Sequence, residues 1–203
     1  RRLRDVDYYR DDPLVRRLLG LRRLPDVATI SRTLAHMDGP SVEKTRQLCS
    51  GLVLDGLQRE QFPRLTLDFD GSVTSTKGHA EGTAVGYNVK KKGARSYYSL
   101  FATVAQTGQI LDVFHRPGNV HDSNGAPEFM MDNFERLRAA LPHTVLESRM
   151  DSAFFSQKTL TLMDLYGVEC TISVPFERFP VLKQMIESRQ RWRRLEGERS
   201  YFE

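Results

Sequence analysis

The strongest constraint on the fold comes from residues 65–70, where apolar and polar residues alternate. Successive side chains of a strand point to opposite faces, so this period of two predicts a strand. Asp68 and Asp70 fall on the same, polar face of that strand. Gly71-Ser72 follows, and this pair predicts that the strand ends at Asp70.

Helices are predicted before this strand, and a series of strands and helices after it. In the first sixty residues, Asp26 can cap one helix, which Gly39-Pro40 ends, and Ser41 can cap the next. The β-rich runs that follow predict strands over 83–89, 97–105, 110–114, 144–150 and 168–174. Apolar spacing predicts helices over 129–141, 156–166 and from Phe179 onward. An antiparallel meander followed by αβα units indicates an α/β fold with a mixed sheet. This order of elements is the one found in the RNase H-like fold.

Composition restricts the class of protein. Of the 203 residues, 39% are hydrophobic and 28% are charged, as in a soluble globular protein, and no apolar run is long enough to span a bilayer. The net charge of +4, with arginines concentrated towards both ends, is compatible with a polyanionic partner. Cys49 and Cys170 form no CxxC pair, so we expect two buried, reduced thiols in a cytoplasmic protein. Because the chain begins with Arg1 rather than Met, we expect a piece of a longer product.

Two aspartates are candidates for chemistry because each follows a predicted strand. Asp70 and Asp151 would converge if their strands were neighbours, since functional groups of α/β sheets gather at strand ends. Carboxylate oxygens suit Mg²⁺ or Mn²⁺, and a third acid would complete a site for two ions. Each acid also has a structural interpretation, Asp70 in an Asp-Gly turn and Asp151 as a helix cap. Asp68 is either a second ligand or an ordinary residue of the polar face.

A different enzyme class is suggested by the same strand. Residues 67–72 resemble the hhhDxDG(T/S) loop of haloacid-dehalogenase-type phosphatases, in which Asp68 would be the nucleophile and Asp70 the general acid. That alternative requires a parallel βαβ unit after the loop and a late pair of acids. A Gly- and Tyr-rich hairpin sequence follows instead, and residues 150–153 contain only one acid.

Several short motifs occur in order along residues 10–175. They are Asp70-Gly71-Ser72, Lys77-Gly78-His79-Ala80-Glu81-Gly82, Gly86-Tyr87-Asn88, Lys92-Gly93, Ser96-Tyr97-Tyr98-Ser99-Leu100, Arg116-Pro117-Gly118-Asn119, His121-Asp122 and Arg149-Met150-Asp151-Ser152-Ala153-Phe154-Phe155. As an ordered series they resemble bacterial insertion-sequence transposases of the DDE class, in the branch with a subdomain inserted before the catalytic glutamate.

The resemblance implies a fold, a reaction and partners. It implies an RNase H-like core that cleaves and transfers DNA strands at the terminal inverted repeats of a mobile element, with target DNA as second substrate. Asp70 and Asp151 would be the first two catalytic acids and would bind Mg²⁺ or Mn²⁺. Residues 1–61 would be an N-terminal helical region, 62–176 a partial catalytic core and 177–203 the basic helical start of the inserted subdomain. A homodimer associated with the bacterial nucleoid would be the expected assembly.

The third acid of such a site is missing from the recognisable pattern. In the family it is a glutamate with companions at Y-x2-R-x3-E-x6-K spacing, which does not occur here. Glu196, Glu198 and Glu203 are available but lack those companions. We therefore expect a catalytically incomplete fragment, or alternatively an inactive remnant that only binds DNA or another transposase subunit.

Supporting residues are expected around the acids. Phosphate contacts are predicted for two basic groups, the second of which could also stack an exposed base on its indole: Lys90, Lys91, Lys92 and Arg95, and then Arg191, Trp192, Arg193 and Arg194. Arg116 and Asn119 could orient the site carboxylates or DNA, although Gly118-Asn119 is equally a turn. His79, His115 and His121 lack metal-ligand spacing, so hydrogen-bonding or structural roles are predicted for them.

Overall fold

The computed structural model describes residues 2–88, 90–121, 123–194, 197 and 200–201. The chain forms two compact units, Arg1–Cys49 and Ser50–Glu203. The boundary between them falls within a single long helix, α3, which spans Gly39–Glu60. No helix in the described part of the chain is long and apolar enough to cross a membrane.

The N-terminal unit is helical, as predicted. A 3₁₀ helix over Leu3–Tyr9 is followed by α1 (Pro13–Leu18), α2 (Val27–Ala35) and the start of α3. Asp26 caps α2 by accepting a 2.8 Å hydrogen bond from the Thr29 amide. The predicted cap at Ser41 is wrong, because the Ser41 amide itself donates to Asp38 at 2.9 Å. The Gly-Pro pair begins α3 rather than ending α2, since proline is well tolerated in the first turn of a helix.

A six-stranded mixed sheet forms the centre of the second unit. Its strands are β1 (Arg64–Ser75), β2 (Ala84–Val85), β3 (Arg95–Val104), β4 (Ile110–Phe114), β5 (Val145–Met150) and β6 (Glu169–Ile172). Their order is β2-β3-β1-β5-β6, and β4 also pairs with β3. The pairs that involve β3 are antiparallel, whereas β1–β5 and β5–β6 are parallel. The predicted meander followed by αβα units is therefore present.

Two strand predictions were wrong in extent. β1 continues through Gly71 to Ser75, because β3 supplies a ladder of partners from Leu100 to Ser96 along this part of the strand. The predicted strand over 83–89 is reduced to β2, and Val89 lies outside the described residues. The chain bends at Gly86 and Tyr87, directly after β2.

Helices α4 (Ala126–Ala140) and α5 (Gln157–Tyr166) pack on the apolar face of the sheet. Leu65, Leu67 and Phe69 are at most 2% exposed, which confirms the apolar half of the predicted alternation. The rings of Phe129 and Phe134 on α4 meet the Phe69 ring edge-on, with centroids 6.1 and 5.9 Å away. Each large apolar side chain buried in this way contributes roughly 1.5–3 kcal/mol.

The C-terminal region departs from the predicted basic helix. Helix α6 covers only Pro180–Glu187, and two short antiparallel strands follow, β7 (Arg193–Arg194) and β8 (Ser200–Tyr201). A continuous helix would place the guanidinium groups of Arg189 and Arg193 one turn apart, where like charges destabilise it.

Both cysteines depart from their predicted burial. The Cys49 and Cys170 thiols are free, but both are exposed. Cys170 belongs to β6, a short strand whose residues are mostly exposed, so it lies outside the sheet core.

Candidate active site

Asp70 and Asp151 lie next to each other at one end of the parallel half of the sheet. The last residues paired between β1 and β5 are Phe69 and Met150, and the two aspartates come immediately after them. Neighbouring strands are roughly 4.8 Å apart, so the two backbones lie side by side at this point. The backbone at Asp151 remains extended, with φ −81° and ψ 179°, so both side chains are presented on the same, open face.

The sequence misplaced Asp70 relative to its strand. Asp70 lies inside β1 opposite Phe101 of β3, and not at the strand end. What ends there is the parallel pairing with β5, so the acid lies where the sheet narrows. Asp151 does follow its strand as predicted, and it also caps the 3₁₀ turn Ser152–Phe154, accepting the Ala153 amide at 2.9 Å.

The pair provides part of a cation site. Both carboxylates are exposed, and oxygen ligands of this kind suit hard divalent cations. The Ala153 amide occupies one oxygen of Asp151, and the second oxygen can face a ligand. Within the described part of the chain, no three His, Cys, Asp or Glu side chains are grouped to hold a metal. The possible third acids Glu196, Glu198 and Glu203 lie outside the described residues, as does Asp122.

Asp68 is held by an arginine on the neighbouring strand. Arg149, opposite Asp68 in register, donates Nε to Oδ1 at 2.6 Å and Nη2 to Oδ2 at 2.7 Å. The hydrogen bond to Asp68, reinforced by the charge of that carboxylate, raises the pKa of Arg149. This bidentate pair occupies both oxygens of Asp68, so its geometry favours the polar-face interpretation over a ligand role.

The phosphatase alternative is wrong. It requires a parallel βαβ unit after the DxDG sequence, whereas β1 continues through that sequence and pairs antiparallel with β3. A nucleophilic Asp68 would also have to leave its bidentate contact with Arg149.

The predicted basic loop divides into two parts. Lys90, Lys91 and Lys92 are exposed at its tip. Arg95 is half-buried and bonds to Thr83, donating Nε to the hydroxyl at 3.0 Å and Nη2 to the carbonyl oxygen. The loop therefore presents its lysines to solvent, while Arg95 links the start of β3 to Thr83, the residue before β2.

Arg116 lies in the turn after β4 and is 3% exposed. It donates to the carbonyl oxygens of Tyr98, His121 and Asn124 at 3.2, 3.2 and 2.9 Å. Its guanidinium also lies over the rings of Tyr98 and Phe114. These contacts stabilise the turn, and none of them joins Arg116 to Asp70 or Asp151.

The remaining predicted residues lie on exposed surface or serve local contacts. Asn119 is exposed at the tip of the turn that Arg116 stabilises. His115 Nδ1 lies 2.9 Å from Ser99 Oγ, and His121 Nδ1 lies 3.0 Å from Ser123 Oγ, as expected of hydrogen-bonding histidines. The exposed group near the C-terminus, Arg191, Trp192, Arg193 and Arg194, precedes and forms β7.

Sequence reasoning missed a cleft that begins one residue beyond Asp70. It has a volume of about 360 Å³ and is lined by Gly71, Ser72, Val73, Ser75, Tyr87, Asn88, Lys90 and Lys91. The motif Gly86-Tyr87-Asn88 belongs to the ordered series of the sequence, and that was the available signal. Sequence alone did not show that Tyr87 and the lysines face the same cavity.

Comparison with known proteins identifies the family. The model of transposase DDE domain group 1 matches residues 1–199. The chain belongs to this family. A search among curated proteins finds no match. DDE transposases are nucleases and polynucleotidyl transferases that generally use divalent metal ions.

Solved transposases are similar at low identity. For piggyBac transposase in a synaptic complex with hairpin DNA, identity is 16% and the TM-score 0.45, over 76% of this chain and 34% of that chain. For Mos1 transposase in a paired-end complex with the left transposon end, identity is 9% and the TM-score 0.41, over 91% of this chain and 63% of that chain. For the catalytic domain of Mos1 mariner transposase, identity is 8% and the TM-score 0.39, over 80% of this chain and 78% of that chain. The chain thus spans less than two thirds of the first two proteins.

The predicted DDE transposase family is confirmed by the family match, and the predicted mixed sheet is confirmed by the strand order and pairing. The chain is a transposase domain, and the two strand-end acids of the sequence prediction are neighbours in its sheet.

Proposed function

We propose that this chain carries two of the three metal-binding carboxylates of a DNA transposase that cleaves and joins strands at the ends of an insertion sequence. The observation that supports this most directly is the register of β1 and β5. The last pair in that parallel register is Phe69 and Met150, and Asp70 and Asp151 are the residues that follow them. Two exposed carboxylates on one face, where the parallel pairing of β1 and β5 ends, are suited to a divalent cation and a phosphodiester.

Asp70 and Asp151 would hold Mg²⁺ or Mn²⁺, and the third ligand would come from a later acid. When bound, the ions supply activation of water or of a 3′-hydroxyl and stabilise the leaving oxygen. The chain's own contribution is to fix the distance between two acids. Asp70 is paired with Phe101 on β3, and the residue before it, Phe69, is paired with Met150 on β5. In the 3₁₀ turn, the Ala153 amide holds one carboxylate oxygen of Asp151.

The proposed partners are the terminal inverted repeats and the target DNA, with a second copy of the chain in the assembly. The exposed lysines Lys90, Lys91 and Lys92 and the arginines around Trp192 would contact phosphates. Arg95 and Arg116 would act indirectly, because their guanidinium groups already bind protein carbonyls or hydroxyls. A bacterial cytoplasm, at the nucleoid, is the proposed location.

The proposal is tested by Mn²⁺ titration followed by electron paramagnetic resonance, together with cleavage of DNA that carries the element ends. In the full-length protein, which supplies the third acid, Asp70→Asn and Asp151→Asn should each weaken Mn²⁺ binding at least tenfold and stop cleavage, while leaving DNA binding in EDTA unchanged. Asp132→Asn, which changes an equally exposed acid on α4, is the matched control and should behave as wild type.

The remnant alternative gives a different result in the same experiment. It is favoured by the absence of a three-ligand cluster among the described residues. A full-length protein that binds DNA but neither binds Mn²⁺ nor cleaves would establish the remnant and exclude the enzyme. Retained Mn²⁺ binding and cleavage in either aspartate variant would refute the site assignment.

A further inference from the structure

The cleft beyond Asp70 has the composition of a nucleotide site. Its volume of about 360 Å³ lies within the roughly 300–1,000 Å³ range of small-ligand sites. Of its lining residues, Lys90 and Lys91 supply two cations, and Ser72 and Ser75 supply hydroxyl groups. The two lysines give this cleft a positive charge, which favours anionic ligands.

Tyr87 presents an aromatic ring in this cleft. Half of the residue is exposed, which is unusual for a tyrosine that contacts two other rings. The Tyr98 ring lies 6.4 Å away at a 38° tilt, and the His121 ring meets it edge-on at 5.8 Å. These neighbours support the ring from the protein side and leave part of its surface for a ligand.

The backbone at Tyr87 is fixed by an unusually close contact. The Tyr87 amide donates to the Gly118 carbonyl oxygen at 2.9 Å. A Cβ placed on Gly86 would come within 2.3 Å of that same oxygen, and one on Gly118 within 2.3 Å of Ser96 Oγ. Both glycines are therefore required for the two segments to pack, and the ring is held in place before any ligand arrives.

Asn88 fixes the lysine side of the cleft. It is 4% exposed, donates Nδ2 to Ser75 Oγ at 2.8 Å and accepts the Lys91 amide at 3.0 Å. This buried amide joins the end of β1 to the loop. The backbone of Lys91 is consequently held against the end of β1 in the cleft that Tyr87 also lines.

The geometry points to a single-stranded DNA subsite in this cleft. Tyr87 stacks one unpaired base, and Lys90 and Lys91 contact the adjoining phosphates. The inference rests on the proposed function for its ligand class. Stacking tolerates any base, so the subsite holds a strand without reading its sequence.

The subsite is tested with a short single-stranded oligonucleotide that contains 2-aminopurine, whose fluorescence is quenched on stacking. The titration is done in EDTA, so it is independent of the metal site. Tyr87→Ala should abolish quenching and weaken binding about tenfold, as expected for loss of one stacked base. Tyr87→Phe should retain both. Tyr87→Leu, which keeps apolar bulk against Tyr98, should behave as Tyr87→Ala.

Lysine variants test the phosphate contacts separately. Lys90→Gln with Lys91→Gln should reduce the slope of log affinity against log salt by about 1.4, because each contact to single-stranded DNA contributes about 0.7. Tyr9→Ala is the matched control, since Tyr9 is 52% exposed and is not part of the cleft. That variant should match wild type.

The outcomes separate this inference from the proposed function. Unchanged quenching in Tyr87→Ala, or binding of duplex only, would overturn the subsite. Asp70→Asn and Asp151→Asn should leave quenching in EDTA unchanged. If wild type quenches but neither binds Mn²⁺ nor cleaves, the subsite stands and the proposed enzyme function fails.

Discussion

Two carboxylate regions of the sheet contrast sharply. Asp112 on β4 is completely buried, accepts from Arg136 and Asn133 on α4, and also accepts the Val113 amide at 2.8 Å. Asp70 and Asp151 are exposed at the opposite, open face of the same sheet. Sequence alone does not distinguish them, because all three are strand-associated aspartates.

The difference lies in what surrounds each carboxylate. Arg136 extends the buried network to Ser50 Oγ at 2.6 Å and to Asn133 Oδ1 at 3.1 Å, so the hydrogen-bonding capacity of Asp112 is used inside the fold. At Asp151 a single backbone amide is bonded and solvent is open. The buried carboxylate therefore stabilises the unit, whereas the Asp151 carboxylate is open to solvent.

The largest expected effect comes from removing the buried carboxylate. Asp112→Ala should lower the free energy of unfolding by about 3 kcal/mol, because it leaves the Arg136 charge without its partner. Breaking a buried ion pair costs roughly 3–5 kcal/mol, and the low end applies here because the Arg136 side chain is 31% exposed. Asp151→Asn should change stability by less than about 0.5 kcal/mol, since asparagine also caps helices well. Urea denaturation measures both, and equal losses would remove the contrast.

The next effect concerns the turn beside the exposed site. Gly86→Ala should destabilise the chain by about 1–3 kcal/mol, because its Cβ meets backbone that cannot move aside. Gly51→Ala in helix α3 has nothing within 4 Å of the added Cβ. That control should stabilise the chain by about 0.5–1 kcal/mol through helix propensity. Thermal melts distinguish the two signs, and a neutral Gly86→Ala would contradict the packing argument.

A smaller effect is expected at the ion pair behind the acids. Arg149→Gln removes a positive charge about 7 Å from Asp151 and releases Asp68. Mn²⁺ affinity should then rise roughly sevenfold, as expected for a unit charge acting on a divalent ion at about this distance in water. Arg64→Gln, which breaks the exposed Arg64–Glu169 ion pair at the start of β1, is the control and should leave Mn²⁺ affinity nearer to wild type. Weaker Mn²⁺ binding in Arg149→Gln would mean that Arg149 organises the site.

The smallest effect is the acid dependence of the exposed ion pairs. The hydrogen bond from Arg64 lowers the pKa of Glu169, and the hydrogen bond from Lys158 lowers the pKa of Glu128. Their stabilisation is present above the ordinary glutamate pKa of about 4.3 and is lost as pH falls through the lowered folded value. Glu169→Gln should slightly flatten the stability profile below pH about 4.3, and a steeper profile would contradict this origin.

The elements of the fold were largely predictable from periodicity. The alternation at residues 65–70 identified β1, and the apolar stripe of α4 identified the helix that covers it, because Phe129, Met130, Phe134 and Leu137 are all at most 4% exposed. The end of β1 was not predictable from Gly71. A glycine ends a strand only where no neighbour supplies a ladder, and that neighbour, β3, is more than twenty residues away in sequence.

The site was predictable only in its acids. Strand ends and the resemblance point to Asp70 and Asp151, but their register depends on the parallel pairing of segments 81 residues apart. Arg149 and Tyr87 belong to the ordered motifs of the sequence, which assign them no role. Both acquire one from cross-strand or inter-loop neighbours, namely Asp68 and Gly118, which no local pattern places beside them.

The continuation of β1 beyond the parallel half has a consequence for amide exchange. From Gly71 to Ser75 the strand is paired with β3, and among the described residues its parallel pairing ends earlier, at Phe69. Asp70 therefore belongs to a hydrogen-bonded ladder that opens only with the antiparallel half, while Asp151 belongs to a three-residue turn. Amides of β3 opposite Asp70 should exchange slowly and those of residues 152–155 quickly. We therefore expect the backbone at Asp70 to be more strongly protected than the turn that follows Asp151.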